Sequence, residues 1–440
     1  MSFSVTRTWR RANAETLACV SLVVLLGLRV FAALYTTSPV TWDDTVFRTA
    51  ATFDAERVDL GHAIAHVLLP DSRTMSAVNA PGRTIGYHDW LVLGRVLLPG
   101  TSGERVWQLV NVFLFLLQGG AVLTMAAIVR LPRALRYTMT FVFLSAPMTF
   151  GLSRWVMTEN HVLTAYLMCL ASSVACVIEL PRHRWSTPRQ TLVAHAVAAA
   201  ALGYLVGIFS SVREYAAPFI LLVIAGTVAA LIWERRPTTA VAYSLGFVPF
   251  VPSLAHTLPG LLATAAHKAG VERYYHSASE WFPHEVLYFW GPALTALAIV
   301  GVVFAVRGVV ALPSSFKRRT GAGGLVLSLA AAGAVLAAMI PVLVVRNRVA
   351  RNGIVIVPIL LCLCLGWQRD RLAILARTKA LGRASVALVL VSWIFLIQQT
   401  VFSYDHGRSW RHHCTNLEHY NYPLGLPALP QGEQHTTCDW

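Results

Sequence analysis

Apolar runs long enough to cross a bilayer recur from one end of this chain to the other. The first is TLACVSLVVLLGLRVFAALYT, residues 16–36, and a helix of roughly 20 apolar residues matches the hydrocarbon thickness of a membrane. This run is too long for the apolar core of a signal peptide and no small-residue cleavage site follows it, so it predicts a retained transmembrane helix. Composition agrees, because 56% of the 440 residues are hydrophobic and 13% are charged, whereas soluble domains contain roughly half and a quarter. The sequence therefore predicts an all-α polytopic membrane protein.

The hydrophobic pattern predicts about 11 transmembrane helices, joined by short basic loops and a few longer segments. Their approximate bounds are 15–36, 106–129, 137–152, 159–180, 190–209, 215–233, 239–257, 286–306, 322–345, 353–367 and 384–402. The third and tenth are short, which indicates that they are tilted, broken or wrongly bounded. The long outer loop 37–105 has amphipathic stretches that predict helices lying on the membrane surface. We expect one integral-membrane module over residues 1–402 and a short extracytoplasmic tail over 403–440.

The formal net charge of +15 follows from the positive-inside rule. With the N-terminus inside, the predicted inner segments contain 20 of the 36 Lys and Arg residues but only four of the 21 acids. Three of these segments are RLPRALR, PRHRWSTPR and ERR. Because the positive charge follows the topology, it does not indicate a nucleic-acid-binding surface, and no nucleic-acid partner is predicted.

Two adjacent acids, Asp43 and Asp44, follow the first predicted span by a few residues, in SPVTWDDTVFRTAATFDAERVDLG. A carboxylate near a bilayer is unfavourable unless it faces water, a partner or a substrate. One acid of such a pair can act as a general base while the other holds an acceptor or a cation. The alternative interpretation is structural, with Asp43 or Asp44 serving as the N-cap of a helix that begins at TVFRTAATF.

A third acid, Glu159, lies at the outer end of the fourth predicted span, in FGLSRWVMTENHVLTAYLMCLA. The predicted topology places it at the same membrane face as Asp43 and Asp44. The structural alternative is again an acid at a helix start, where the helix dipole favours negative charge.

Three arginines, Arg346, Arg348 and Arg351, lie in one short outer loop, in VLVVRNRVARNGIVIVPILL. Positive charge on the outer side opposes the usual bias, and guanidinium groups match the oxygens of a phosphate. Arg213, in FSSVREYAAPF, lies at the same level. Headgroup contacts and, for Arg213, pairing with Glu214 are the structural alternatives.

Motifs for nucleotide and zinc sites are missing from the sequence. It contains no P-loop and no G-x-G-x-x-G between a strand and a helix, so no nucleotide cofactor is predicted. No zinc-type Cys/His spacing occurs, and RHHC in the tail is better explained as a solvated patch. Cys414 and Cys438 are the two cysteines predicted outside, where a disulfide is stable, and the sequence leaves open whether they are bridged.

Taken in order along the chain, these motifs resemble the GT-C glycosyltransferases, and specifically the branch of the protein-O-mannosyltransferases and aminoarabinose transferases. DDTVFRTAA resembles the acidic-pair motif of the first outer loop, with Phe47 at its aromatic position. SRWVMTENHVLTAYLMCLA resembles the segment in which a second acid opens the fourth helix. RVARNGIVIVPILLCLCLGW resembles the late helix start that carries an arginine and a proline, here Arg351 and Pro358. The resemblance covers about residues 10–370, and it departs from the family in having Asp-Asp for Asp-Glu and Asn352 for an aromatic residue.

The resemblance implies an inverting transferase that moves a sugar from a polyprenyl-phosphate donor to a cell-envelope acceptor. The active site would face the outside of the plasma membrane, in contact with membrane lipids. Asp43 would be the base, Asp44 would orient the acceptor, and Glu159 would assist placement or bind a divalent cation. The leaving lipid phosphate would be stabilised by Arg346, Arg348 and Arg351, with Arg213 nearby. No cofactor is required, although a divalent cation remains compatible with the acids.

Two other functional classes stay open at this stage. A lipid-linked glycan flippase or other transporter also needs buried arginines and a polar cavity, but it predicts repeat-like halves or helices broken at the midplane. The ionisable residues of this sequence instead cluster at one predicted face, which favours the enzyme. A non-catalytic scaffold subunit would show no turnover.

Overall fold

The computed structural model describes residues 2–35, 42–69, 86–153, 158–210, 216–255, 290–301 and 379–398, and the regular secondary structure in this part of the chain is all helical. Its α-helices are α1 Ser2–Tyr35, α2 Trp42–Ala55, α3 Leu60–Leu68, α4 Gly86–Leu97, α5 Gly103–Ile128, α6 Arg133–Ser145, α7 Pro147–Leu152, α8 Thr158–Val174, α9 Pro188–Ile208, α10 Ala217–Trp233, α11 Pro237–Phe247, α12 Trp290–Gly301 and α13 Lys379–Ile397. A π-helical turn, Ala175–Glu179, and a 3-10 turn, Leu180–Arg182, extend α8. A 3-10 turn, Val248–Phe250, extends α11.

Six helices in the described part are long and apolar enough to cross a membrane. They are Ala14–Tyr35, Gly103–Ile128, Asn160–Arg182, Pro188–Ile208, Pro237–Ala255 and Ala380–Ile397. Two shorter apolar helices, Ala217–Trp233 and Trp290–Gly301, also coincide with predicted spans. The chain is therefore a mostly helical membrane protein. The total of 11 spans stays a prediction, since 322–345 and 353–367 lie outside the described residues.

The third predicted span, 137–152, is broken in the structure into α6 and α7. Ala146 separates them with an extended backbone, φ −57° and ψ 132°, directly before Pro147. A proline disfavours the helical conformation in the residue before it and lacks the N–H that would continue the ladder. The break therefore has a local cause in the sequence.

Aromatic and hydroxyl contacts join the helices into one bundle. Trp393 of α13 donates from Nε1 to Ser21 Oγ of α1 at 2.9 Å and packs its ring 5.3 Å from that of Phe141 in α6. The rings of Tyr166 and Phe219 join α8 to α10 with centroids 4.3 Å apart. The bundle core is accordingly continuous from α1 to α13 across the described helices.

The predicted outer loop 37–105 contains the three short helices α2, α3 and α4. Asp59 is the N-cap of α3, and its carboxylate accepts from the backbone N–H of His62 at 2.9 Å. The hydrogen bonds from His62 lower the pKa of the exposed Asp59 carboxyl. Tyr204 of α9 donates from Oη to the carbonyl oxygen of Leu68 at 2.8 Å. This hydrogen bond connects the end of α3 to the bundle. The predicted tail 403–440, with Cys414 and Cys438, and the second outer segment, 258–285, lie outside the described residues.

Glycines bring α9 and α11 into direct backbone contact. A Cβ added at Gly203 would lie 2.0 Å from the carbonyl oxygen of Tyr243, and one at Gly246 would lie 2.0 Å from that of Ala200. Small residues at helix crossings allow this approach between transmembrane helices. A larger residue at either position must push the two helices apart.

We expect Gly203→Ala to lower the free energy of unfolding by about 1–3 kcal/mol, since overpacking against a backbone atom cannot be relieved by a side-chain rotation. The measurement is thermal unfolding of the purified chain in detergent. Gly27→Ala is the matched control, because no atom lies within 4 Å of a Cβ added there. Equal melting temperatures for the two variants would contradict the tight crossing.

Candidate functional site

The acidic pair lies in the first turn of α2. The helix begins at Trp42, so Asp43 and Asp44 are its second and third residues and neither is the N-cap. The structural alternative made one of them the N-cap of a helix beginning at TVFRTAATF. That alternative is wrong, because the helix begins before both acids. Both acids still lie at the positive end of the helix dipole. The structure describes the backbone of these two residues but not their side chains.

Among the other predicted site residues, the structure describes only Glu159, and only its backbone. Glu159 is the second residue of α8, with its backbone described and its side chain not. Arg213, Arg346, Arg348 and Arg351 lie outside the described residues. The meeting of acids and arginines at one site therefore stays a prediction.

A chain of buried side-chain amides and hydroxyls links α4, α5 and α8, the last of which carries Glu159. Tyr87 of α4 donates from Oη to Asn111 Oδ1 of α5 at 2.9 Å. Asn160 of α8 donates from Nδ2 to the same oxygen at 3.1 Å. Gln118, two turns further along α5, donates from Nε2 to Asn160 Oδ1 at 2.7 Å and to Thr164 Oγ1 at 3.0 Å. We call these five residues the amide cluster.

The amide cluster is fully enclosed, since its members are at most 1% exposed. Buried polar groups in an apolar bundle are unfavourable unless they are paired, and paired networks hold their helices in one arrangement. Asn160 is the residue after Glu159. The cluster therefore determines where the start of α8 lies relative to α4 and α5.

A part-buried hydrogen-bonding contact extends this linkage to the helix of the acidic pair. His88, next to Tyr87 in α4, lies with Nε2 2.8 Å from Asp54 Oδ2 near the end of α2. The His88 side chain is 4% exposed, and burial lowers its pKa below the ordinary histidine value, against the opposing effect of Asp54. The contact attaches α2 to α4, and the amide cluster attaches α4 to α8.

Arg29 is a fully buried arginine within the first transmembrane span. Its Nε donates to Ser153 Oγ at 2.7 Å and its Nη2 to Gln108 Oε1 at 3.0 Å. Nη2 also donates to the carbonyl oxygen of Ser153. An arginine in a membrane span almost always faces the bundle interior and marks a functional or structural polar centre. Here it joins α1, α5 and the end of α7, six residues before α1 ends at Tyr35.

His161 completes the buried polar group near the start of α8. Its ring lies between those of Tyr87 and Phe209, with centroids 6.1 and 6.0 Å away. Its Nε2 is buried and has no hydrogen-bond partner among the described residues. The described residues contain no group of three His, Cys, Asp or Glu side chains that could hold a metal ion.

Reasoning from the sequence did not identify the amide cluster, Arg29 as a hydrogen-bonding centre, or the contact of His88 with Asp54. One signal was present for α5. Gln108, Asn111 and Gln118 are spaced by three and seven residues, which places them on one helix face. A polar stripe on a transmembrane helix predicts interhelical hydrogen bonds, but not their partners.

Comparison with known proteins finds structures of similar fold but no match in sequence. No family model matches the sequence, and no curated protein matches it. The structure is similar to that of the oligosaccharyltransferase of Archaeoglobus fulgidus tethered to an acceptor peptide with the NVT sequon, with a TM-score of 0.52 and 13% sequence identity. The fold is GT-C-like. The same archaeal enzyme, AglB, in complex with an inhibitory peptide and a dolichol-phosphate gives a TM-score of 0.50 at 14% identity.

These similarities extend along nearly the whole chain. Each covers 95% of this chain, but the chain spans only 60% of the length of the archaeal enzyme. The resemblance to GT-C glycosyltransferases is thus confirmed at the level of the fold. The narrower assignment to the protein-O-mannosyltransferase and aminoarabinose-transferase branch stays a prediction.

We expect Asn111→Ala to destabilise the bundle, because it leaves the buried Tyr87 hydroxyl and Asn160 amide without their shared acceptor. Each unsatisfied buried group costs about 1–3 kcal/mol. The test is a double-mutant cycle on thermal unfolding with Tyr87→Phe. The two changes should be strongly non-additive, since each removes the same hydrogen bond. Additive effects would show that the bond contributes nothing to stability.

We also expect stability to fall as the pH drops from about 7.5 to about 5, with part of the fall due to His88. Since the folded-state pKa of His88 lies below that of the unfolded chain, the unfolded state binds the extra proton first. The stabilisation is therefore complete above the unfolded pKa and is lost as the pH falls towards the folded one. His88→Gln should show a shallower dependence of melting temperature on pH than the unmodified chain, and parallel curves would refute the assignment.

Proposed function

We propose that this chain is a membrane glycosyltransferase. It would move a sugar from a polyprenyl-phosphate-linked donor to an acceptor in the cell envelope, whether lipid, glycan or protein. The observation that carries the proposal is the GT-C-like fold in which α2 and the start of α8, the two helices with the predicted acids, are linked through buried polar contacts. The structural neighbours support it, since one contains an acceptor peptide and the other a dolichol-phosphate, which is a polyprenyl phosphate.

The position of the acids supports a site at one membrane face. Asp43 and Asp44 follow the end of α1, and Glu159 opens α8. The turns after α5, α8 and α10 are at the opposite end of their helices and carry basic residues, including Arg130, Arg184 and Arg235. Because positively charged loops stay on the cytoplasmic side, the acids would face the outside.

The proposed reaction is an in-line displacement at the anomeric carbon of the donor sugar. The acceptor hydroxyl, or a similar nucleophile, forms the new bond as the bond from the anomeric carbon to the phosphate oxygen breaks, and the configuration inverts. The bonding electrons leave with the lipid phosphate. Asp43 takes the proton of the acceptor, while Asp44 orients it and Glu159 assists placement or holds a divalent cation.

Arginines would stabilise the leaving group. Negative charge on the lipid phosphate stays or grows as the bond breaks, and preorganised cationic groups at that point lower the barrier. The proposed cationic groups are the guanidinium groups of Arg346, Arg348 and Arg351. Arg213 is expected at the same depth relative to the membrane. No nucleotide or other organic cofactor takes part in this scheme. A hexose or pentose is the expected unit transferred.

We expect Asp43→Asn to lower the rate of transfer by about 10²–10⁴-fold while leaving donor binding intact, because it removes the proton acceptor with little change of shape. Arg351→Ala should weaken donor binding as well, because it removes a charge-assisted phosphate contact. The assay measures transfer from a radiolabelled polyprenyl-phosphate sugar in reconstituted vesicles, with donor binding measured in parallel. Glu56→Gln is the matched control, since Glu56 is an exposed acid directly after α2.

Three outcomes would contradict parts of this scheme. Near-wild-type transfer by both Asp43→Asn and Asp44→Asn would show that the acidic pair has only a structural role at the helix start. Movement of the lipid-linked sugar across the vesicle membrane without transfer would indicate the flippase or transporter alternative. Absence of both activities in the unmodified chain, with donor binding also absent, would favour the scaffold alternative.

A further inference from the structure

A cavity of about 480 Å³ lies at the basic end of the bundle, away from the acids. It forms where the 3-10 turn after α8, the start of α9 and the α10–α11 turn meet. Its walls include the ends of three candidate spans, Asn160–Arg182, Pro188–Ile208 and Pro237–Ala255. The cavity therefore lies at the boundary of the apolar zone, and its volume is in the range of small-molecule sites, about 300–1,000 Å³.

The lining of this cavity is cationic. Arg184, Arg235, Arg236 and His195 line it, and no acid does. Of the two acids on the flanking turns, Glu179 pairs with Arg182 at 2.5 Å, and Glu234 lies 3.6 Å from Arg236. Arg184 and Arg235 are exposed and form no ion pair within the described part of the chain. Positive charge is therefore left over at this site.

Arg236 also lines the cavity, with 16% of its side chain exposed. Its Nη1 donates to the carbonyl of Cys176 at 3.4 Å. Its Nη2 is buried and has no partner among the described residues. The accessible part of the guanidinium group matches the geometry of phosphate oxygens.

Arg235 adopts a backbone conformation that is unfavourable for arginine. Its φ is 57°, in the left-handed region, where it ends α10 with Arg236 N–H bonded to the carbonyl of Leu231 at 2.8 Å. Glycine is the usual residue at such a helix end, because it has no Cβ. The side chain of Arg235 lines the cavity.

An apolar surface continues from the cavity along α9. Leu192 lines the cavity and is 50% exposed, and Val193 and Val197 further along are 55% and 65% exposed. Trp185, also lining the cavity, is 58% exposed, and tryptophan favours the membrane–water interface. A free phosphate would use only the arginines. A phospholipid would use both the arginines and the apolar surface of α9.

We propose that this cavity binds the headgroup of an anionic phospholipid. Arg184, Arg235 and Arg236 contact the phosphate oxygens, Trp185 lies at the level of the glycerol, and the acyl chains run along α9. Basic pockets between helix ends are a known means of holding anionic lipids. The site is independent of the transferase reaction proposed above.

The test uses the full chain purified in detergent, with bound lipid counted by native mass spectrometry and melting temperature measured in parallel. Phosphatidylglycerol should bind and raise the melting temperature, whereas phosphatidylcholine should not. The double variant Arg184→Gln with Arg235→Gly should weaken phosphatidylglycerol binding by about fivefold for each arginine removed. Arg235→Gly keeps the helix end intact, because glycine favours the backbone conformation found there.

The matched control is Arg130→Gly with Arg133→Gln. Arg130 has the same left-handed backbone, φ 59°, and ends α5 in the same way, but it does not line the cavity. The control therefore removes the same charge from a neighbouring turn and should bind phosphatidylglycerol like the unmodified chain. Equal loss in both double variants would overturn the site in favour of general surface charge. A full thermal shift from inorganic phosphate alone would overturn the lipid as its ligand.

Discussion

Hydrogen bonding in surroundings that exclude water is the constraint on which the rest of this structure depends. A polar group in an apolar bundle is unfavourable unless it is paired inside the protein. Three amide side chains of α5 form hydrogen bonds with the neighbouring helices. Gln108 accepts from Arg29 of α1, Asn111 accepts from α4 and α8, and Gln118 donates to α8. Helix α5 thus sets the positions of the helices around it. The start of α8 and, through His88 and Asp54, the end of α2 follow from those positions.

The two ends of the bundle have opposite chemistry. At one end lie the acids, on the starts of α2 and α8. Buried contacts hold the start of α8, and the contact of His88 with Asp54 holds the far end of α2. At the other end short turns after α5, α8 and α10 carry arginines, and Arg182 donates to the carbonyl of Ile128 at 2.9 Å, which ties two of these turns together. The proposed transfer reaction needs a rigid arrangement of acids at one face. The proposed lipid site needs a concentration of cations at the other.

Much of the helical architecture follows from the sequence because length and apolarity are local properties. The first, second and fourth predicted spans coincide with Ala14–Tyr35, Gly103–Ile128 and Asn160–Arg182 to within about three residues. Even the break in the third predicted span has a local cause, Pro147. The site was predicted less completely. The acids stood out because charge is rare in this sequence, whereas the amide cluster did not, because its residues are neutral and distributed over the three helices α4, α5 and α8.

The sequence by itself determined the helical class of this protein, the approximate bounds of its apolar helices and the segregation of basic residues to one set of turns. Each depends on a run of neighbouring residues and on the energy of moving that run into a bilayer. Only the tertiary structure decided that Tyr87, Asn111 and Asn160 share one hydrogen-bonded oxygen, that Arg29 reaches Ser153 and Gln108, and that Arg184 and Arg235 line one cavity. The residues that form these hydrogen bonds are separated by 24 to 124 positions in the sequence. Such pairings depend on which helix faces meet, and the packing of the whole bundle selects them.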